Sequence, residues 1–297
     1  MLKRLTSHFA LLFLVFLPFG LASADPFKKG DVLKTSAQSP VQTQYKILRT
    51  LGSGGLADVY EAIKEDGTKG NQRVALKILK NKHAPSVHTM VLKSHELVIE
   101  KQKKNSCHDL LEIYEVGQLW AKENSYSFIA MEMAIGSLAQ FFGDNAEAGY
   151  IANYFSDPKD QMRFLTKLTK DLLHIYKDLS QKDLDIVHGD IRDANFLFMP
   201  TALNEWNGDE LSPRDYLDGR VRLVLADFDL VVKGKTKIDE DEDPMGTLYG
   251  LPPELYLETA RNHESSRDAF ALGMVLFDVL TTKINPYYEF VFSEKFL

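Results

Sequence analysis

Cysteine is nearly absent: Cys107 is the only one among 297 residues. An internal disulfide is therefore excluded, and no group of cysteines and histidines has the spacing of a structural zinc site. Basic excess is absent too. Lysine and arginine total 35 against 42 aspartates and glutamates, a formal net charge of -7, whereas nucleic acids and anionic membranes need a positive footprint to hold a protein. The composition offers no nucleic-acid partner. No repeat of solenoid length occurs, and nothing in the sequence marks an oligomeric state. What the chain does have is apolar material, 44% hydrophobic and 11% aromatic residues. That is enough for one two-lobed domain or two small ones with real cores, and too much for a disordered chain.

The one long apolar run stands at the start. Lys3 and Arg4 precede an apolar stretch from Phe9 to Leu21, which ends in the small residues Ala22, Ser23 and Ala24. This is the pattern of a secretory signal peptide over residues 1–24, cut after Ala24. The run is short for a membrane span and is broken by Pro18 and Gly20, so no stable span is expected after cleavage. The expected destination is outside the cytoplasm, and a lone cysteine suits an oxidising compartment because it has no internal partner to scramble with.

Residues 25–43 lack sustained periodicity and read as a linker. From Tyr45 onward, short alternating or β-branched stretches recur at Tyr45 to Leu51, Asp58 to Ile63, Arg73 to Leu79, Leu110 to Gly117 and Ser127 to Met133. They predict a five-stranded antiparallel sheet. A helical pattern from about Val87 to Lys103 interrupts them, with Val91, Leu92, His95, Val98 and Ile99 at helical spacing. Beyond Gly136 the period becomes helical. It is clearest from Pro158 to Leu179, with Asp157 placed to cap, Pro158 in the first turn, and Phe164, Leu165, Leu168, Leu172, Leu173, Ile175, Tyr176 and Leu179 on one face. The polar stretch Thr201 to Gly219 reads as a surface insertion. The fold class is α+β.

Several motifs carry chemistry. Leu51 to Tyr60 contains Gly52, Ser53, Gly54 and Gly55 between two predicted strands, where glycines let backbone amides approach phosphates. Val74-Ala75-Leu76-Lys77 places a lysine among apolar strand residues. Ile186 to Leu197 holds Asp190 and, five residues later, Asn195, bracketed by apolar residues. Leu223 to Asp229 is an apolar strand ending in Asp227. Gly246 to Glu254 and Asp268 to Gly273 follow in order. An Asx-rich turn or a plain hairpin would explain any one of these alone.

Together, from Gly52 to Gly273, they resemble a eukaryotic-type protein kinase catalytic domain. The resemblance implies a two-lobed fold over residues 44–297. Its N-lobe is 44–133, a five-stranded sheet plus one helix, and its mainly helical C-lobe is 134–297, ending short of the family's later helices. It implies ATP and Mg²⁺ as cofactors and a protein serine or threonine hydroxyl as acceptor. The nucleotide-binding residues it implies are Leu51, Gly52, Ser53, Gly54, Gly55, Val59, Ala75, Lys77, Glu96, Met131, Glu132 and Met133. Lys77 would meet the phosphates and pair with Glu96 or, one turn on, Glu100, with Met131 as gatekeeper and Glu132-Met133 as hinge. Asn195 and Asp227 would bind metal, Asp190 would take the acceptor's proton, and Arg192 would neutralise charge on the moving group.

The pattern also departs from the family. Ala57 stands in the place of a third glycine, Gly189 of an arginine, Asp229 of a glycine and Pro252 of an alanine. Gly189 removes the arginine that docks a phosphorylated loop, so activity independent of such phosphorylation is expected. The acidic run Asp239 to Asp243 reads as a solvated charge cluster. Gly189 and Asp229 also resemble the aminoglycoside and choline kinases, which act on small molecules. A third reading is a non-catalytic pseudokinase used as a binding module.

Overall fold

The computed structural model describes residues 27–35, 42–65, 70–104, 108–121, 123–142, 154–180, 186–201, 211–233, 252 and 264–281. Residues 1–24, read above as a signal peptide, Cys107, the acidic run 239–243 and, Pro252 apart, the Gly246 to Glu254 motif lie outside them. So does the segment after residue 281. Two compact units emerge, Met1–Leu92 with Tyr114–Met133 and Lys93–Ile113 with Ala134–Leu297. The second half of the helical stretch near Val87 to Lys103 therefore groups with the later unit, not with the N-lobe expected over 44–133.

In chain order the first elements are β1 (Val32–Thr35), β2 (Gln44–Ser53), β3 (Ala57–Glu65), β4 (Gln72–Leu79), α1 (Pro85–Lys104), β5 (Ile113–Ala121) and β6 (Asn124–Met131). The strands form a closed barrel in the order β1-β2-β3-β4-β6-β5. This is six strands where the periodicity predicts five. The extra one, β1, falls in the stretch read as linker. It pairs with β2 and with β5 (Lys34 opposite Trp120, Thr35 opposite Leu119) and buries Leu33 while Val32 and Lys34 stay exposed or partly so. Phe27 just before it is also buried, edge-on to Tyr60 at 5.9 Å and Tyr126 at 5.0 Å. With Tyr45, Ile47, Val74, Leu76, Leu119 and Phe128 these side chains make the core of the first unit. Burial of large apolar and aromatic surface supplies most of its stability.

The later unit contains β7 (Gly136–Ser137), α2 (Leu138–Phe142), α3 (Pro158–Ser180), β8 (Ile186–Val187), a 3₁₀ turn (Asp193–Asn195), β9 (Phe196–Pro200), α4 (Pro213–Leu217), β10 (Val221–Leu225), β11 (Val232–Lys233) and α5 (Glu264–Thr281). α3 forms where the periodicity places it, with a narrower buried stripe: Phe164, Leu168, Leu172, Ile175 and Leu179 are buried, Leu165 and Tyr176 lie at its margin half-buried, and Leu173 is turned out to solvent. Asp157 accepts from the N–H of Lys159 at 2.9 Å. α4 lies within the stretch read as a surface insertion. Ser212 and Asp215 form a capping box there, and Tyr216 is fully buried with its hydroxyl donating to Asp171.

One buried acid joins three strands of the barrel. Glu61 on β3 is 2% exposed and receives Arg49 of β2 at 2.7 Å and Arg73 of β4. Burial raises its carboxyl, but the two guanidiniums outweigh that and hold it below the usual glutamate value of 4.5. The stabilisation is therefore fully present above that value and is lost as pH falls through the lower folded one. Glu61→Gln is expected to lower the thermal unfolding midpoint at about pH 7, with the gap from the parent closing as acid is added. A gap that stays constant through an acid titration monitored by circular dichroism would contradict this.

Candidate active site

In the first unit the glycine-bearing hairpin is the turn between β2 and β3. Gly52 stands opposite Val59 and Ser53 opposite Asp58. Its tip is tied down by side chains: Lys80 donates to the Gly54 carbonyl at 2.7 Å and to Ser53 Oγ at 3.0 Å, and pairs with Asp58 at 2.9 Å. The ring Nε2 of His83 donates to the Gly55 carbonyl at 2.9 Å. Sequence reasoning missed Lys80 and His83, which fall in the turn after β4 where no motif signals them. Ala57, in the third-glycine place, is buried, and its carbonyl accepts the Gly54 N–H at 2.8 Å. A Cβ at Gly52 would meet nothing within 4 Å, which leaves open space where the family pattern expects phosphates. Lys77 is buried in the middle of β4, opposite Val59 on β3 and Ile129 on β6. Ala75 pairs with Met131 at the end of β6, and Glu132 and Met133 follow half-buried. Leu51 is exposed at the end of β2.

In the later unit the loop after β8 carries Asp190. It is held by Asp268 on α5, a residue 3% exposed whose two carboxylate oxygens accept the N–H groups of His188 at 2.6 Å and Gly189 at 2.9 Å. Burial pushes the Asp268 carboxyl up, against the opposing influence of His188, these two N–H groups and Arg267. His188 is fully buried. Its Nε2 lies 3.0 Å from the Ala226 carbonyl and so carries the proton, leaving Nδ1 to accept the N–H of Asp190 at 3.3 Å. Gly189 has φ +80, and a Cβ there would stand 3.0 Å from the Leu230 carbonyl oxygen. The glycine in the arginine's place is thus required by the backbone as built.

Strand register brings the chain just before Asp227 next to Asn195, and the Asn195 side chain reaches Asp190. β9 and β10 are antiparallel with Phe196 opposite Leu225. The N–H of Ala226 then donates to the Asn195 carbonyl at 2.9 Å, which puts Asp227 one residue beyond Asn195's neighbour. The Asn195 amide donates to the backbone oxygen of Asp190 at 2.8 Å and to its Oδ2 at 3.0 Å. Its own oxygen is left as an acceptor. Asp227 has φ +66, a strained backbone of the kind found at working sites. An amide oxygen beside a carboxylate is the hard-oxygen set that suits magnesium. Arg192 is partly buried, and its Nε has no hydrogen-bond partner.

The acidic partner on α1 is where helix phase departs from expectation. Val91, Ser94, His95 and Val98 make the buried face, while Glu96 is exposed and has no ion-pair partner among the described residues. Glu100 pairs with Lys104 on the same helix. The apolar residues Val91 and Val98 set the phase, and Glu96, a step of about 100° from His95, is turned away. His95 instead meets the Asp227-Phe228-Asp229 motif: its ring lies edge-on to Phe228 at 6.1 Å and its Nε2 3.8 Å from Asp229. Phe228 in turn lies edge-on to His188 at 5.6 Å.

Comparison with known proteins points to one family. The profile described as protein kinase domain matches residues 45–291. Serine/threonine-protein kinase PrkC of Bacillus subtilis is 25% identical over 82% of this chain and 31% of its own. Serine/threonine-protein kinase srk1 of Schizosaccharomyces pombe is 23% identical over 83% and 42%. Sporulation protein kinase mde3 of the same yeast is 25% identical over 82% and 38%. The chain thus spans between about a third and two fifths of the length of these relatives.

Gly189→Ala is expected to cost roughly 1–3 kcal/mol of stability, because it forces a side chain into a left-handed backbone against the Leu230 carbonyl. Urea unfolding measures this, and an unchanged midpoint would show that the loop relaxes freely.

Proposed function

The chain belongs to the protein kinase family, and we propose that it transfers the γ-phosphoryl group of Mg-ATP to a serine or threonine hydroxyl of a protein. The observation that supports this reading is that the pairing of β9 with β10 brings the backbone before Asp227 onto Asn195, whose amide in turn holds Asp190. Asn195 and Asp227 are the residues that would hold magnesium, which when bound offsets charge on the phosphates. Asn195 also donates to one Asp190 oxygen, so the carboxylate is oriented before an acceptor arrives. In the transfer the acceptor oxygen forms a bond to phosphorus and the bridging oxygen leaves with ADP. The hydroxyl proton goes to Asp190. Arg192, two residues beyond Asp190, is the cation that would offset charge on the moving group. Lys77 takes the phosphate role on the side of the glycine-bearing hairpin.

A serine or threonine acceptor is supported by Thr247 in the Gly246-Thr247 pair and by the names of the relatives. Export is part of the same reading and rests on the signal pattern of residues 1–24. An exported kinase needs nucleotide where it arrives, in a nucleotide-bearing compartment or another cell's cytoplasm.

The test is transfer of labelled γ-phosphate from Mg-ATP to mixed proteins and, separately, to aminoglycosides and amino alcohols. Asp190→Ala is expected to lower transfer to protein by roughly 10²–10⁴-fold, and Asp227→Ala to abolish it, with both variants folded. Normal transfer by folded Asp227→Ala would sink the assignment. Label in the small molecules alone would move the enzyme to the aminoglycoside and choline kinase class, and no label in any acceptor would favour a binding module.

A further inference from the structure

The peptide unit joining Gly189 to Asp190 is gripped at both ends. Its N–H, on Asp190, donates to His188 Nδ1 at 3.3 Å. Its carbonyl, on Gly189, accepts from Arg267 Nη2 at 2.6 Å in a buried bond spanning 78 residues of sequence. Arg267 is 8% exposed and stands next to Asp268 on α5. Adjacent residues of one helix thus reach one glycine from two directions, Asp268 through its N–H and Arg267 through its C=O.

Glycine makes this grip consequential. A residue without a side chain crosses between left- and right-handed φ at little cost, and a peptide plane beside it rotates easily. Rotation of the 189–190 plane would swing the Asp190 backbone, and with it the carboxylate proposed to take the acceptor's proton. The two bonds on that plane point to opposite ends, so a rotated plane loses both. Arg267 also stands beside the buried Asp268 carboxylate, and balancing that charge is the alternative reason for its presence. The bond to the Gly189 carbonyl is what that alternative leaves unexplained.

We propose that Arg267 is a positioning residue for Asp190, fixing the Gly189 carbonyl and so the peptide plane from which the Asp190 carboxylate projects. This rests on the kinase reading above for the role of Asp190, while the restraint on the loop is testable without it.

The full chain with Arg267→Met is compared with the parent and with Arg267→Lys in three measurements: phosphoryl transfer kinetics, thermal unfolding, and amide hydrogen exchange of the peptide covering 186–195. Arg267→Met is expected to lower kcat by about 10- to 100-fold, as small misplacements of reacting groups do, with KM for ATP within about threefold. Exchange in 186–195 should accelerate while that in α3 does not. Arg267→Lys, which keeps a donor and the charge, should recover most of kcat and of the protection. If Arg267→Met does not fold, Arg267→Lys against the parent gives the same readings at smaller amplitude. Unchanged kcat in a folded variant overturns the proposal. So does a loss of activity matched by lost folded protein, with 186–195 no looser than the rest. If the parent transfers no phosphate, the kinase reading fails by itself. The exchange data then decide the restraint, with absence of local loosening overturning it.

Discussion

Asp268 accepts two consecutive backbone N–H groups, those of His188 and Gly189, from a position only 3% exposed. Ionised groups are costly to bury and remain so only with strong hydrogen bonds or opposite charge nearby. Here both are present, and what they hold is the start of the loop that carries Asp190. Because α5 packs against α3, whose central apolar stripe is buried, the loop is fixed to two long helices rather than to neighbouring turns. Sites built on helices keep tighter geometry than sites left to loops. His188 extends the hold. One ring nitrogen faces the Ala226 carbonyl and the other the Asp190 N–H, so a single imidazole joins the Asp190 loop to the strand end that carries Asp227.

The second constraint is register. β9 and β10 pair over five positions, from Val221 opposite Pro200 to Leu225 opposite Phe196. Slippage by one residue would turn every side chain to the opposite face and separate Asn195 from Asp227. β10 is held on its other side by the segment before β5: Leu225 N–H donates to the Asp109 carbonyl at 2.9 Å, and Leu111 N–H to the Leu225 carbonyl at 2.8 Å. These backbone bonds explain why Leu110 and Leu111, expected as the start of a strand, pair with the β10 end instead. The same contacts group residues 93–113 with the later unit.

Much of this was legible in the residues because the signals are local. Asp190 and Asn195 are five apart, and the amide of one bonds the carboxylate of the other. α3 announces itself by an uninterrupted 3.6-residue apolar period, and its Asp157 cap by residue type. What escaped depends on long-range packing or on too few residues. β1 is four residues long, with two buried and two exposed, too short for alternation to stand out. The phase of α1 is decided by the buried Val91 and Val98, while the polar His95 and Ser94 share their face. A sequence reading that looks for an acid has no means of knowing that Glu96 is turned outward. α4 was within reach: Ser212 and Asp215 have capping-box spacing, hidden inside a stretch that composition marks as polar. Arg267 has no local signal at all, since its acceptor lies 78 residues earlier.

Gly189 also bears on how this sequence can change. Its left-handed φ and the closeness of the Leu230 carbonyl bar any side chain there while the neighbouring backbone stays as it is. Groups that share a hydrogen-bonded network do not vary independently. Position 189 and the backbone at 230 therefore form a mutational ratchet, in which the common family arginine at 189 is reachable only after the segment at 230 has shifted. The Arg267 bond to the Gly189 carbonyl holds the same stretch of backbone in place.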